Sequence, residues 1–192
     1  MLFRSVESAI CKCFERISGS KNADIVFELD THRLVLNFES ADGSLQKFAM
    51  DEMSDGYKNT LSMIGDIAYR MAVLNPMLGD KVLEDTSGVV VIDEIDLHLH
   101  PQWQQTIISD LNTIFPKIQF IVSSHAPAVI NSVAREQIRI LDNGEIYMPA
   151  AQTYGRDANS ILREVMKASE RPTDIKQRMN LFYSYKIGRA HV

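Results

Sequence analysis

Apolar residues recur every three or four positions over two long stretches of the chain, which predicts two amphipathic helices. The first covers residues 2–17 and is closed by Gly19. The second begins at Ser54 and continues for about twenty residues until Asn75 and Pro76 stop it. The predicted inward stripe of this second helix is Tyr57, Leu61, Ile64, Ala68, Met71 and Leu74.

Alternating apolar and polar residues predict an antiparallel sheet between these helices. The runs DIVFEL and RLVLNFE flank a short Asp-Thr-His turn, and SLQKFAM adds a third strand. Further along the chain, RILDNGEIYM predicts a hairpin, because Asn-Gly favours a two-residue turn. Residues 157–168 and 173–185 are predicted to form two short amphipathic helices.

Two short aliphatic runs, 89–92 and 118–122, flank an amphipathic stretch that starts at Pro101. A strand, a helix of about fifteen residues and a second strand make a βαβ unit, so we expect parallel neighbours in a sheet covered on both faces. The fold class is therefore α/β, with a parallel-sheet core flanked by helices. The predicted inward positions of the helix are Trp103, Ile107, Leu111 and Ile114.

Composition adds limits rather than a function. The chain has 192 residues, of which 45% are hydrophobic and 23% charged, as in ordinary globular proteins. A formal net charge of -5 argues against a broad grip on nucleic acid or an anionic membrane. Cys11 and Cys13 are too close in a helix for a relaxed disulfide, so we expect reduced thiols. No run suggests a membrane span or signal peptide, and we expect a cytoplasmic protein.

Two adjacent acids end the first aliphatic run, in the segment GVVVIDEIDLHLHP of residues 88–101. Four aliphatic residues followed by Asp-Glu is the Walker B form of P-loop nucleotidases. In that form Asp93 binds Mg²⁺, while Glu94 polarises a water for attack on the γ-phosphate. The simpler interpretation is a strand that ends in two solvated acids, and an isolated match does not separate the two.

Two other segments are compatible with a nucleotide site. In MSDGYKN, Ser54 can cap the following helix and Gly56 lets the backbone approach an anion at the helix N-terminus. In FIVSSHAP, His125 follows the second buried strand, where a neutral imidazole can hydrogen-bond a phosphate or a water. Each alone has a simpler interpretation, as a capping turn and as a structural histidine.

His98 and His100 form an H-x-H pair that invites a metal interpretation. Only Asp96 lies near them in the sequence, whereas zinc sites need three or four converging ligands. We therefore expect the two histidines to shape their loop, with His100 capping the helix that starts at Pro101.

In their order along the chain, these segments resemble the C-terminal half of an ABC-type ATPase domain, as in SMC, RecF and OLD-family proteins. The resemblance covers about residues 53–148. It implies that Asp93 is the magnesium residue, Glu94 the catalytic base, Asp96 the acid of the D-loop and His125 the switch histidine. ATP and Mg²⁺ are the cofactors that it implies.

The same resemblance makes the segment around Ser54 and Gly56 a signature loop. In ABC-type domains this loop contacts the γ-phosphate bound by a partner subunit. The resemblance therefore implies a homodimer or higher oligomer with composite ATP sites.

Three longer segments narrow the resemblance: LSMIGDIAYRMAVLNP, VVVIDEIDLHLHPQWQQ and YGRDANSILREVM. They are similar to the AAA-type ATPases of the Septu PtuA group, including those found beside retrons. This implies antiphage defence with an HNH nuclease partner. A DNA-repair or OLD-type ATPase is the related alternative, in which DNA would be a partner. A non-catalytic interaction module is the alternative from another class.

No G-x-x-x-x-G-K-[ST] phosphate loop is present in the chain. We therefore expect a fragment that is inactive as an ATPase by itself. The expected divisions are a helix and hairpin region at 1–52, the catalytic lobe at 53–150 and a helical segment at 151–185. The last residues, KIGRAHV at 186–192, resemble the translation of a sequencing adapter and carry no structural expectation.

Overall fold

A computed structural model describes residues 2–97, 99–168, 174–175, 177–179 and 181–182 of the chain. The chain divides into two compact units, residues 1–129 and residues 130–192. Within the predicted helix at 173–185, residues 174–175, 177–179 and 181–182 are described and are helical, while the other positions and all of the segment 186–192 lie outside the described residues.

Seven α-helices and seven strands lie between Leu2 and Glu164 in the described part of the chain. The helices are α1 (Leu2–Ser18), α2 (Asp55–Leu74), α3 (Val82–Asp85), α4 (Pro101–Gln104), α5 (Ile107–Ile114), α6 (Pro127–Ile130) and α7 (Ala158–Glu164). The strands are β1 (Lys21–Glu28), β2 (Arg33–Glu39), β3 (Leu45–Ala49), β4 (Gly88–Ile92), β5 (Ile118–Val122), β6 (Ile140–Asp142) and β7 (Glu145–Tyr147). Short 3₁₀ turns cover Met50–Glu52, Pro76–Lys81 and Arg135–Gln137.

The predicted antiparallel sheet is confirmed. Its strands lie in the order β1-β2-β3, and β2 places Leu36 between Ile25 and Phe48. Helix α1 packs against this sheet, where the ring of Phe14 meets that of Phe38 edge-on at 4.9 Å. Gly19 ends α1 with a φ of 70°, in the left-handed region that glycine adopts without steric cost.

Helix α2 has the predicted length of 20 residues and packs against α1. The close approach depends on Gly65, because a Cβ at that position would lie 3.3 Å from the side chain of Ile10. Most of the predicted inward stripe is buried, but Leu74 is 77% exposed. The prediction for Leu74 is wrong because the residue occupies the last helical position, before Asn75 ends the helix. The buried members of the stripe are Leu61, Ile64, Ala68 and Met71.

Strands β4 and β5 are parallel neighbours, as predicted, with Gly88 opposite Ile118 and Ile92 opposite Val122. The expectation that both faces of this sheet are covered is wrong for the described chain. Side chains alternate between the faces of a strand, and the core packs against one face only. On the other face, Val89, Val91 and Ile121 are 59%, 72% and 52% exposed.

The predicted helix between β4 and β5 is broken into α4 and α5. At the break, the backbone N–H and the hydroxyl of Thr106 both donate to the carbonyl of Trp103. A threonine side chain that bonds a nearby carbonyl competes with the regular helical pattern, which accounts for the break. The predicted inward residues of α5 are nevertheless buried: Ile107, Leu111 and Ile114.

In the second unit, β6 and β7 form the predicted hairpin. Asn143 and Gly144 have φ values of 50° and 83°, as a two-residue turn of this type requires. The carboxylate of Asp157 accepts a hydrogen bond from the backbone N–H of Ser160 at 3.0 Å and so caps α7.

Cys11 and Cys13 are free thiols, as expected, and both are buried in the core of the first unit. Among the described residues, no helix is long and apolar enough to cross a membrane.

Candidate functional site

The two adjacent acids lie at the carboxyl end of β4, in contact with the residue that follows β5. The hydroxyl of Ser123 donates to Oδ1 of Asp93, and the backbone N–H of Glu94 donates to the same hydroxyl at 2.8 Å. Both acids are exposed. Because strands β4 and β5 are parallel, their carboxyl ends meet at the same edge, which is where open α/β sheets bind ligands.

A second set of contacts holds the next acid along the chain. The hydroxyl of Ser124 donates to Oδ1 of Asp96 at 2.6 Å, and the backbone N–H of His125 donates to the same oxygen at 3.2 Å. The structure therefore brings the predicted D-loop acid and the predicted switch histidine into direct contact. His125 is exposed, and within the described chain its ring makes no hydrogen bond.

Glu94 has a φ of 50°, which is rare for a residue that carries a side chain. Residues held in this region cost about 1–3 kcal/mol and persist only where their surroundings fix them. Here the backbone N–H of Glu94 is bonded to Ser123, and its carbonyl accepts from the N–H of Leu97 at 2.9 Å. Among the described residues, the exposed Glu94 carboxylate has no hydrogen-bond or ion-pair partner.

The donor set fits a magnesium ion that is bound together with a nucleotide. Mg²⁺ keeps several waters and takes one or two carboxylates plus substrate phosphates, so it needs no closed protein cage. Asp93 offers the exposed carboxylate, and its Oδ1 is oriented by Ser123. Among the described residues, no group of three or more His, Cys, Asp or Glu side chains could hold a metal ion by itself.

The predicted signature loop lies at the N-terminus of α2. Ser54 occupies the N-cap position, but its side chain makes no capping hydrogen bond, so that prediction is wrong. The Ser54 carbonyl accepts the first hydrogen bond of the helix, from the N–H of Lys58 at 3.1 Å. The carbonyl of Gly56 accepts from the hydroxyl of Thr60 at 2.8 Å. Within the described chain, no hydrogen bond or ion pair joins Ser54 or Gly56 to the acids after β4.

An aromatic contact connects the start of α2 with the helix that follows the D-loop. The ring centroids of Tyr57 and Trp103 are 4.3 Å apart, at an interplanar angle of 66°. Nδ1 of His100 accepts from the backbone N–H of Gln102 at 3.3 Å, which confirms the predicted cap. His98, the other member of the H-x-H pair, lies outside the described residues.

A groove of about 620 Å³ runs beside the site, between α2 and β4. Consecutive residues from Ser87 to Asp93 line it, although successive side chains of a strand point to opposite faces. The groove therefore follows the backbone edge of β4 rather than one of its faces. Thr86 lies at its wall with a buried hydroxyl that has no hydrogen-bond partner in the described chain.

Ser123 and Ser124 also belong to the site, although no role was predicted for them. They stand next to His125 in the segment FIVSSHAP. Their position in the sequence was the available signal. The two serines directly follow β5, and the carboxyl end of β5 lies at the same sheet edge as the acids that follow β4.

Comparison with known proteins assigns the chain to a family. Residues 12–131, more than half of the chain, match the family described as "AAA domain, putative AbiEii toxin, Type IV TA system". The chain belongs to this family of AAA-domain proteins. It is an ATPase-like domain, and the resemblance to the ABC-type, Septu and retron-associated ATPases is confirmed.

Curated relatives share substantial sequence with the chain. It is 42% identical over 124 residues to "Retron Vc95 probable ATPase" of Vibrio cholerae serotype O1 biovar El Tor, covering 62% of this chain and 24% of that protein. It is 38% identical over 135 residues to "Retron Ec83 probable ATPase" of Escherichia coli, covering 70% and 24%. "Septu protein PtuA" of Bacillus thuringiensis is 30% identical over 126 residues, covering 62% and 32%. The chain thus spans about a quarter of the length of the two retron ATPases.

A solved structure confirms the fold class. The chain aligns with a protein from the study "Structural biochemistry of ATP-driven dimerization and DNA stimulated activation of SMC ATPases" at a TM-score of 0.50. The alignment covers 87% of this chain and 94% of that one at 16% identity, so it establishes the fold alone.

Proposed function

We propose that this chain carries the magnesium-binding and water-activating residues of an ATP hydrolase. The observation that carries the proposal is the joint placement of Asp93 and Glu94 at the carboxyl end of β4, bonded to the end of β5 through Ser123. A strand that merely ended in solvated acids would need neither this bonding nor the strained backbone of Glu94.

Each residue has a proposed role that follows from its contacts. Asp93 holds the magnesium ion, directly or through a water. Glu94 accepts a proton from the attacking water, because its carboxylate is exposed and unpartnered in the described chain. His125 donates a hydrogen bond to the γ-phosphate or the water. Asp96 fixes the loop that carries His125, through the backbone contact at 3.2 Å. When bound at Asp93, Mg²⁺ would neutralise negative charge on the phosphates.

We propose that Ser54 and Gly56 act on a nucleotide held by a second subunit. Their segment offers the N-terminus of a 20-residue helix, which favours anions. The absence of contacts between these residues and Asp93 in the described chain supports a role in trans. The SMC ATPases with which the chain shares its fold undergo ATP-driven dimerization. By analogy, this protein would form a dimer with composite sites.

We propose antiphage defence as the biological role, with an HNH nuclease as the partner. The support is the similarity to retron ATPases and Septu PtuA proteins, which reaches 42% identity. DNA is the partner in the alternative of a repair-type ATPase, and the SMC ATPases of similar fold show DNA-stimulated activation. ATP hydrolysis that requires a nuclease subunit rather than DNA would favour the role in antiphage defence.

The decisive experiment measures magnesium-dependent ATP hydrolysis by the full-length gene product. We expect Glu94→Gln to lower kcat by about a hundredfold or more, as loss of a general base does. Glu84→Gln is the matched control, because Glu84 is an exposed glutamate of α3 outside the site. Equal activity in both variants would refute the proposal. We expect the 192-residue chain by itself to hydrolyse no ATP, since it contains no phosphate loop.

A further inference from the structure

Ser123 makes four hydrogen bonds to the four residues that end β4 and begin the acidic loop. Its backbone N–H donates to the carbonyl of Ile92 at 3.0 Å, and its carbonyl accepts from the N–H of Ile95 at 3.0 Å. Its hydroxyl accepts from the N–H of Glu94 and donates to the carboxylate of Asp93. The hydroxyl therefore uses its donor function on Asp93 and its acceptor function on Glu94.

The position of Ser123 explains how one residue reaches all of these groups. The last ladder pair of the parallel sheet is Ile92 opposite Val122, and Ser123 follows directly. Its backbone continues the ladder by one residue, which fixes the Cα of Ser123 beside the acid pair. Because the Cα is fixed, the hydroxyl lies within hydrogen-bond distance of both Asp93 and Glu94.

The neighbouring serine serves a different acid. Ser124 donates to Asp96 and accepts from the backbone N–H of Ala126 at 3.0 Å. The two consecutive serine hydroxyls therefore bond different acids. Ser123 contacts the pair Asp93 and Glu94, and Ser124 contacts the loop acid.

We propose that Ser123 is a positioning residue for the hydrolysis assigned above, and the proposal rests on that function. Its hydroxyl holds Oδ1 of Asp93, so that the other carboxylate oxygen would be available to a magnesium ion or its water. The same hydroxyl holds the backbone of Glu94 in its left-handed conformation, which sets the direction of the proposed base. Ser123 therefore acts through these two acids, which its hydroxyl bonds directly.

The first test uses the 192-residue chain and measures amide hydrogen exchange by NMR. Glu94 donates its backbone N–H to the Ser123 hydroxyl, so Ser123→Ala should accelerate exchange at this amide by about fivefold to tenfold. Ser123→Thr keeps the hydroxyl and should stay within about twofold of the unchanged protein. Ser44→Ala is the matched control, because the hydroxyl and the N–H of Ser44 contact Asp42 far along the chain from the acids.

The second test uses the full-length gene product and measures ATP hydrolysis against magnesium concentration. Ser123→Ala should raise the magnesium concentration at half-maximal rate by about tenfold and lower kcat, with the KM for ATP changed by less than about twofold. Ser123→Thr should restore both quantities. A residue that only stabilised the fold would change the amount of active protein, and not the magnesium requirement.

The outcomes separate this proposal from the function on which it rests. An unchanged exchange rate at Glu94 in Ser123→Ala overturns the positioning role, and so does an unchanged magnesium requirement. If Glu94→Gln hydrolyses ATP normally, the proposed function fails, while the exchange measurement still reports on the hydrogen bond itself.

Discussion

The ring of Tyr57, in the first turn of α2, meets the ring of Trp103 in α4 nearly edge-on at 4.3 Å. This contact ties the proposed signature segment to the helix that follows the D-loop. Both residues are half-buried, and burial raises the pKa of the Tyr57 phenol above its ordinary value. The two segments are therefore in direct contact through these rings.

Trp103 is the only tryptophan in the chain, so its fluorescence reports on this contact. We expect Tyr57→Leu to shift its emission to longer wavelength, because removal of the ring exposes the indole to water. The free energy of unfolding should fall by about 1 kcal/mol, in line with the value of aromatic pairs. Tyr57→Phe keeps the ring and is the control. Identical emission spectra for the Leu and Phe variants would contradict the prediction.

An ion pair between a partly exposed arginine and a buried aspartate joins α1 to α5. The guanidinium of Arg16 lies 2.5 Å from the carboxylate of Asp110, whose side chain is only 3% exposed. The second oxygen of that carboxylate is buried and has no hydrogen-bond partner in the described chain. Asp110 is therefore a buried charge that depends on one partner.

Replacing Arg16 alone should lower the free energy of unfolding more than replacing Arg16 and Asp110 together. Arg16→Met leaves the Asp110 charge buried and should lower the free energy of unfolding by about 2–4 kcal/mol. Adding Asp110→Asn removes the charge and should restore part of that loss. Arg70→Met is the control, because the Arg70–Asp66 pair is exposed and should contribute less than about 1 kcal/mol. Urea unfolding measures all four proteins, and a double variant less stable than Arg16→Met would contradict the argument.

Alkaline pH should destabilise the fold through the two cysteines. Burial raises the pKa of the Cys11 and Cys13 thiols to about 12, the carboxylates nearby adding to the effect. In the unfolded chain thiols ionise near a pH of about 8.5, so between these values the unfolded state loses protons that the folded state keeps. Stability should therefore fall as pH rises from about 9 towards 12, by roughly 1.4 kcal/mol per pH unit for each thiol.

The measurement is the free energy of unfolding in urea between pH 8 and about 10.5. Cys13→Ala removes one titrating group and should give a shallower decline, although it is less stable at pH 8 because core volume is lost. The comparison depends on the slope and not on the absolute stability. Parallel curves for the two proteins would show that the Cys13 thiol does not contribute.

Periodicity alone predicts much of this fold, and local polar bonding accounts for part of what it misses. The length of α2 follows from its apolar stripe and from Asn75 and Pro76. The break between α4 and α5 does not, because it depends on how Thr106 bonds the carbonyl of Trp103. The open face of β4 also escapes prediction, since an aliphatic run does not say how many layers cover it.

For the site, spacing identifies the acids but not what holds them. Asp93 and Glu94 are recognisable because two acids follow an aliphatic strand. The role of Ser123 requires knowing that β5 is the parallel neighbour of β4 and in which register. The positive φ of Glu94 is equally invisible in sequence, because glutamate has no preference for that conformation.

The backbone strain at Glu94 gives a prediction about stability that does not depend on activity. A left-handed conformation costs a residue with a Cβ about 1–2 kcal/mol, whereas glycine adopts it freely. Glu94→Gly and Glu94→Ala both remove the carboxylate, so both should abolish hydrolysis in the full-length protein. Glycine should nevertheless be more stable than alanine here by roughly 0.5–1 kcal/mol, after allowance for its more flexible unfolded state.

Glu84 in α3 provides a control for which we expect the opposite order of stability between glycine and alanine. Its backbone is helical, so Glu84→Gly should be less stable than Glu84→Ala by about 0.5–1 kcal/mol. Thermal and urea unfolding of the four variants of the 192-residue chain make the comparison without any nucleotide. If alanine is the more stable substitution at both positions, the strain at Glu94 is not a property of the folded protein in solution. If the order reverses between the two positions, the strain is real, and the fold maintains it at the residue proposed to activate water.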